Sequence, residues 1–363
     1  MQITKPTLLL DENKCRDNIQ FMSSKATKHN LIFRPHFKTH QSLEIGRWFK
    51  ETGTDKITVS SIEMAEYFSK EWNDITVAFP VNILEIESIN KLASKIHINL
   101  LVESVESADY LKNNLKFKTG FFIKVDLGSH RTGLHPSDTN TIDKILEVSD
   151  TSELLTFKGF LGHSGHTYHC RSKDEINVIQ NESMNIMKEF KNKYIGRYDK
   201  LIISTGDTPG CSISEKFSGT DEIRPGNFIF YDLMQLEIGS CSEDRIAIAL
   251  ACPVVAIHKD RNEIVIYGGG IHFSKENMHD KKNGMIFGRV VKNSGNGWGR
   301  IVWGMYVKHL SQEHGIVSVP DNLISNYRVG DILTILPVHS CMTADLMKNY
   351  LTLDGHRITM MNN

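Results

Sequence analysis

The 363-residue sequence has no apolar run that approaches the roughly 20 residues needed to cross a bilayer. It also has no internal repeat of fixed period and no low-complexity tract. Lys and Arg together number 42 and Asp and Glu 43, so the formal net charge is −1. A balanced charge argues against a broad surface for nucleic acid or anionic lipid. We therefore expect neither a nucleic-acid partner nor a membrane partner.

Cysteine is sparse and scattered. The six cysteines form no CxxC pair, which excludes a disulfide framework and fits a reducing compartment. The first residues, "MQITKPTLLLDENKC", show neither a basic leader followed by an apolar stretch nor a small-residue cleavage site. The sequence therefore predicts a cytoplasmic protein.

Hydrophobic residues make up 40% of the chain, which suffices for a large core and for two domains. From residue 31 to about 235, eight strand-like runs alternate with amphipathic, helix-like stretches. Such alternation implies a parallel sheet, and eight units favour a closed (β/α)8 TIM barrel. An open doubly wound sheet is the alternative. The eighth strand is predicted at "GNFIFYDLMQ", residues 226–235.

The sequence pattern changes after about residue 240, where β-branched runs are broken by turn signals. We predict an α/β barrel over residues 11–240, followed by an all-β domain over residues 241–363. Residues 1–10 contain the strand-like "PTLLL" and precede a long helical stretch at 11–28. They are expected to join the β domain.

The stretch "LIFRPHFKTHQS", residues 31–42, alternates apolar and basic positions. It predicts a strand with Arg34, His36 and Lys38 in one row, although cations are seldom buried unless they are paired. A lysine in a barrel mouth beside other cations would have a lowered pKa, and a neutral lysine is a nucleophile for aldehydes. The alternative is a lysine that reaches solvent at the barrel rim.

Polar and glycine residues cluster where the predicted strands end, which is where a barrel places its working residues. "STGDTPG", residues 204–210, has the composition of a phosphate cradle, because glycine lets backbone N–H groups approach an oxyanion and hydroxyls donate to it. Its place after strand seven favours this interpretation. An ordinary polar loop is the alternative.

The late "PVHSC", residues 337–341, offers His339 and Cys341. In an extended chain, residues two apart point the same way, and imidazole plus thiolate is a good pair for zinc. Two protein ligands leave positions open for water and substrate, as a catalytic metal requires. A buried cysteine beside a surface histidine is the alternative.

Taken together, "RPHFKTH", "HSGHTY", "STGDTPGCS", "EIRPGNFIFYD" and "HSC" resemble the D-serine dehydratase / D-threonine aldolase family. These are pyridoxal-phosphate enzymes with an alanine-racemase-like fold, a (β/α)8 barrel followed by a β domain. The resemblance runs in order from residue 6 to about 350. It implies that Lys38 binds pyridoxal phosphate covalently and that His339 and Cys341 hold a divalent metal. The other residues that it implies for the cofactor are Arg131, His163, Tyr168, Thr205, Gly206, Asp207, Thr208, Gly226, Asn227 and Tyr231.

His-x-Cys resembles the dehydratase branch of the family, whose metal is zinc, whereas the aldolases more often show His-x-Asp. The expected reaction is therefore β-elimination from a D-3-hydroxy amino acid, with D-serine the first candidate. Retro-aldol cleavage remains the main alternative, and an amino-acid racemase or a non-catalytic pyridoxal-phosphate-binding protein are further ones. The resemblance also implies a homodimer.

Overall fold

The computed structural model describes residues 2–198, 200–294 and 297–361. Two compact units account for them. The first comprises Gln20–Lys38 and Ile45–Gly226, and the second comprises Thr39–Glu44 with the described residues before Gln20 and after Gly226.

The strands are numbered in chain order. They are β1 (Thr7–Leu10), β2 (Ile32–Phe33), β3 (Ile57–Val59), β4 (Asp74–Pro80), β5 (His97–Val102), β6 (Thr119–Val125), β7 (Leu155–Gly162), β8 (Ile202–Thr205), β9 (Glu222–Ile223), β10 (Ile248–His258), β11 (Glu263–Tyr267), β12 (Met278–Asp280), β13 (Gly284–Ile286), β14 (Gly288–Ser294), β15 (Gly297–Leu310), β16 (His314–Ser318), β17 (Ile332–Pro337), β18 (Asn349–Thr352) and β19 (Arg357–Thr359).

The α-helices are numbered in the same way. They are α1 (Glu12–Lys28), α2 (Leu43–Lys50), α3 (Ile62–Phe68), α4 (Ile86–Ala93), α5 (Val105–Asn114), α6 (Thr139–Asp150), α7 (Lys173–Tyr194), α8 (Thr208–Ile213), α9 (Leu233–Glu237), α10 (Gly270–Phe273), α11 (Asp321–Ile324) and α12 (Ser340–Met347). None of the helices in the described ranges is both long enough and apolar enough to cross a membrane.

The first unit is a parallel barrel whose eight strands follow the order β2-β9-β8-β7-β6-β5-β4-β3. Between β2 and β3 the ring is completed by a parallel bridge from His36 to Thr58. There the Phe37 N–H donates to the Thr58 carbonyl at 2.8 Å. Every residue of β6 is buried, as expected of a strand covered on both faces. The predicted TIM barrel is confirmed over the open sheet.

The first strand is shorter than the predicted run over 31–38. Only β2 forms, because Pro35 has no N–H to continue the ladder. The Arg34 guanidinium lies in ion pairs with the partly exposed Asp74 and the buried Glu222, both at 2.6 Å, so two carboxylates offset its charge. Its predicted effect on the pKa of Lys38 stays a prediction.

The predicted eighth strand at 226–235 is wrong. The eighth strand is β9, which pairs with β2 and β8, and "GNFIFYDLMQ" instead forms a 3-10 turn over Asn227–Ile229 and helix α9. Most of its apolar residues are buried, as they would be in a strand. However, Tyr231 has a φ of +48°, and the Asp232 carboxylate caps α9 by accepting the Gln235 N–H at 2.9 Å.

The second unit is built on a sheet of nine strands in the order β11-β16-β15-β14-β17-β10-β1-β18-β19. Strand β1 pairs antiparallel with β10 and parallel with β18. The rest of its sheet comes from the chain after residue 247, where only short helices interrupt the strands. A barrel followed by a C-terminal all-β part is thus the observed architecture, as predicted.

Candidate active site

Basic side chains gather at the mouth of the barrel unit, close enough for each charge to shift the pKa of others. They are His36, Lys38, Lys124, Arg131, His163 and Arg224. Burial lowers the pKa of Lys124 to about 8, and the charges of Arg224 and Arg131 lower it further. So many cations in one place favour an anionic ligand.

Two histidines of this cluster are neutral. Burial, then the charges of Lys38 and Arg224, hold the pKa of His36 well below its ordinary value. Its Nδ1 accepts the Lys38 backbone N–H at 3.4 Å, so its proton lies on Nε2. Burial lowers the pKa of His163 to about 3, and its Nδ1 donates to the Gly206 carbonyl at 2.7 Å. His163 therefore presents Nε2 as an acceptor.

Arg224 and Lys124 are members of this cluster that the sequence did not single out. Arg224 donates from Nε to the Ser204 hydroxyl at 2.6 Å and from a terminal nitrogen to the Gly162 carbonyl at 2.5 Å. The Ser204 hydroxyl in turn donates to Glu222 at 2.6 Å. Their positions in the sequence could have indicated them, because both basic residues lie at or just beyond the end of a barrel strand.

The phosphate cradle is predicted in the loop after β8, whose backbone requires glycine. Gly206 has a φ of +140°, and a Cβ there would lie 2.6 Å from the Arg224 backbone nitrogen, so only glycine fits. The Thr208 hydroxyl is buried and has no hydrogen-bond partner among the described residues. Such an orphaned donor is costly unless a ligand satisfies it. An oxyanion at this loop would do so.

The Asp207 carboxylate is held by three hydrogen bonds. It accepts the Gly210 N–H at 2.7 Å, the Thr167 hydroxyl at 2.8 Å and the Gln180 amide at 2.6 Å. Burial raises its pKa to about 6. These bonds cap α8 and fix the conformation of the loop.

Three further predicted residues of the barrel unit lie around this mouth. Tyr168 is half-buried in the 3-10 turn Gly165–His169 after β7, Arg131 is exposed in the loop after β6, and Gly226 ends the unit. Tyr231 belongs to the second unit and is buried. An orphaned hydroxyl, a glycine-dependent loop and a surplus of cations fit a phosphorylated cofactor at this mouth.

The second unit brings His339 and Cys341 together, but not through the extended chain that the sequence argument assumed. His339 is the residue before α12, and Cys341 lies in its first turn. Burial opposes a charge on His339, but the hydrogen bond and charge of Cys341 raise the pKa of His339 to about 9. The two side chains therefore lie close enough to influence each other, as a shared metal requires.

Two other polar groups lie against the thiol. The Thr39 hydroxyl is 3.4 Å from the Cys341 sulfur, and the Asn227 amide donates to it at 3.5 Å. The Asn227 side chain therefore contacts Cys341, and the prediction that this residue belongs to the phosphate clamp would rest on its backbone. No cluster of three or more His, Cys, Asp or Glu suited to a metal occurs in the part of the chain that the structure describes. A metal here would have two protein ligands and open positions.

Comparison with known proteins decides the family. The model of the alanine racemase N-terminal domain matches residues 10–233, and that of the serine dehydratase domain matches residues 247–353. A D-serine dehydratase of Dictyostelium discoideum is 30% identical over 97% of this chain and 94% of its own length. The chain belongs to the D-serine dehydratase / D-threonine aldolase family. It is thereby a pyridoxal-phosphate-dependent lyase, as the sequence predicted.

Members of this family with other substrates are also similar to the chain. A D-threo-3-hydroxyaspartate dehydratase of Delftia sp. (strain HT23) is 23% identical over 98% of this chain and 96% of its own length. Its solved structure superposes with a TM-score of 0.91 at 22% identity, covering 100% of this chain and 98% of that one, which shows the shared fold. A D-threonine aldolase from Filomicrobium marinum matches with a TM-score of 0.82 at 16% identity, covering 99% of this chain and 97% of that one.

Proposed function

We propose that this chain is a D-serine dehydratase that uses pyridoxal phosphate and a divalent metal. The reaction eliminates the β-hydroxyl of D-serine, and hydrolysis of the product gives pyruvate and ammonia. The main observation that supports this proposal is the His339–Cys341 pair. Its thiol contacts Thr39, the residue that follows Lys38 in the chain. The relative from Dictyostelium, at 30% identity over nearly the whole chain, supports this substrate.

The barrel mouth would hold the cofactor. Thr208 and the backbone of the Thr205–Thr208 loop would bind the phosphate, and Gly226 with the backbone of Asn227 would complete that clamp. Lys38 would form the covalent bond. Bound pyridoxal phosphate supplies an electron sink that stabilises negative charge at the substrate's Cα.

Lys38 would also act as the base. Once the substrate's amine has displaced it from the cofactor, the free ε-amine would remove the proton from Cα of the D-enantiomer. The neutral His36 holds the turn that presents Lys38 by accepting its backbone N–H. His163 donates from Nδ1 to Gly206 and so would offer Nε2 to a donor in the site. Arg131 and Tyr168 would flank the ring, and the place of Tyr231 in a matching motif is the ground for assigning it to the site.

The metal is proposed to be zinc, because imidazole and thiolate favour zinc over harder ions. His339 and Cys341 would hold this ion, which would supply a Lewis acid for departure of the β-hydroxyl. One solved structure of the Delftia relative is of a cysteine-to-alanine mutant in the metal-free form. By its family and its cysteine content, the protein is further proposed to be a cytoplasmic homodimer.

D-threonine separates the proposed reaction from its alternatives. Elimination gives 2-oxobutyrate and ammonia, whereas retro-aldol cleavage gives glycine and acetaldehyde. We expect 2-oxobutyrate from D-threonine, pyruvate from D-serine and no product from the L-enantiomers. Glycine and acetaldehyde as the main products would replace the dehydratase by an aldolase. Racemisation of D-alanine without either lyase reaction would refute both.

A further inference from the structure

The Asp232 carboxylate is a convergence point for hydrogen bonds in the second unit. Asp232 is 1% exposed. One oxygen accepts the Gln235 N–H at 2.9 Å and so caps α9. The other accepts the Ser340 N–H at 3.0 Å, the Ser340 hydroxyl at 3.2 Å and the Asn227 amide at 2.7 Å. Four donors thus fix one buried carboxylate in place.

Ser340 is the residue between His339 and Cys341. Because Asp232 binds both its backbone N–H and its hydroxyl, the peptide that carries the two candidate ligands is held at its midpoint. Asn227, bound to the same oxygen of Asp232, also donates to the Ser340 hydroxyl at 2.9 Å and to the Cys341 sulfur at 3.5 Å. A single carboxylate therefore constrains the pair through the backbone and through the thiol.

We propose that Asp232 is a positioning residue for the metal: by anchoring Ser340 and Asn227 it sets the separation and direction of the His339 and Cys341 donor atoms. This inference rests on the proposed function. Groups that orient metal ligands typically change metal affinity by 10–100-fold when they are lost. The buried negative charge of Asp232 also favours a cation beside it.

The test measures Co²⁺ binding to the full-length protein, stripped of metal and with its pyridoxal phosphate retained. A sulfur-to-cobalt charge-transfer band in the difference spectrum reports ligation by Cys341. Asp232→Asn keeps the size of the side chain but replaces one acceptor oxygen by an amide donor. We expect it to weaken Co²⁺ binding by about 10–100-fold and to alter the band. Asp280→Asn is the matched control, since Asp280 holds a turn of the same unit by accepting the Lys282 and Asn283 N–H groups.

Ser340→Ala removes the hydroxyl bonds and keeps the backbone bond to Asp232, so it should give a smaller loss. The double variant should lose less affinity than the product of the two single losses, because both changes break the same contact. Wild-type affinity and band in a folded Asp232→Asn protein would overturn the inference alone. If that variant does not fold, wild-type affinity in Ser340→Ala overturns it. Absence of the band in the wild type would remove the proposed metal pair as well.

Discussion

The Thr39 hydroxyl lies 3.4 Å from the Cys341 sulfur, although 302 positions separate the two residues in the chain. Thr39 is completely buried and follows Lys38 directly. The residue expected to bind the cofactor is thus one peptide bond away from the residue that contacts the expected metal ligand.

The first prediction concerns the lysine that binds the cofactor. The purified protein should absorb visible light, and borohydride should fix the cofactor to Lys38, as peptide mapping would show. Lys38→Ala should lose the fixed adduct and about 10²–10⁴-fold or more of its activity. Lys124 is the alternative residue for the covalent bond to the cofactor, because burial lowers its pKa to about 8 at the same barrel mouth. An adduct on Lys124 would reassign the cofactor's anchor.

The second prediction concerns the metal. Chelation and Cys341→Ala should each abolish turnover, because either removes the Lewis acid, and should leave the visible band in place. Two ligands make no closed structural site, so the melting temperature should move by less than about 4 °C. Cys170→Ala provides the control, as this thiol lies in the other unit. Full activity after verified metal removal would contradict the role given to His339 and Cys341.

The third prediction concerns the orphaned hydroxyl of the cradle. Thr208→Val should weaken binding of pyridoxal phosphate to the apoprotein by about 10–100-fold, since a hydrogen bond to a charged group contributes roughly 1.5–3 kcal/mol. It should not lower the stability of the apoprotein, because the hydroxyl has no partner among the described residues to lose.

Thr343→Val is the matched control for this change. The Thr343 hydroxyl is buried and donates to the Phe273 carbonyl at 2.9 Å. This variant should lose about 1 kcal/mol of stability and keep its cofactor affinity. Equal cofactor affinity in both variants would place the phosphate elsewhere.

The fourth prediction concerns acid stability. His40 is completely buried, and burial lowers its pKa to about 3, below the ordinary 6.5. Between pH 6.5 and pH 3, His40 is protonated in the unfolded chain but not in the folded chain. Stability is therefore lost as the pH falls through this range. His40→Asn can still accept the Ser42 N–H, a bond of 3.2 Å in the native protein. It should reduce the slope of unfolding free energy against pH by up to about 1.4 kcal/mol per pH unit in that window. An unchanged slope in chemical unfolding would show that His40 is protonated in the fold.

The sequence by itself determined the architecture and the class of reaction. Strand–helix alternation specified a barrel, because a parallel strand must be followed by a crossover. The change near residue 240 from this alternation to β-branched runs specified the β part. Short motifs also singled out Lys38, the Gly206 loop and the His339–Cys341 pair as candidates, because motifs retain the local features that their chemistry needs. Their roles stay predictions.

Only the tertiary structure decided which partner each polar group meets. The Arg34 guanidinium pairs with Glu222, 188 positions away, and the Asn227 side-chain amide donates to Cys341. The predicted eighth strand at 226–235 does not form, because Asp232 caps a helix there and bonds to Ser340, which no local pattern reveals. The observed eighth strand is β9. A buried hydrogen bond or ion pair forms wherever the closed fold brings two desolvated groups together, so its partner depends on distant chain segments and not on the neighbouring residues.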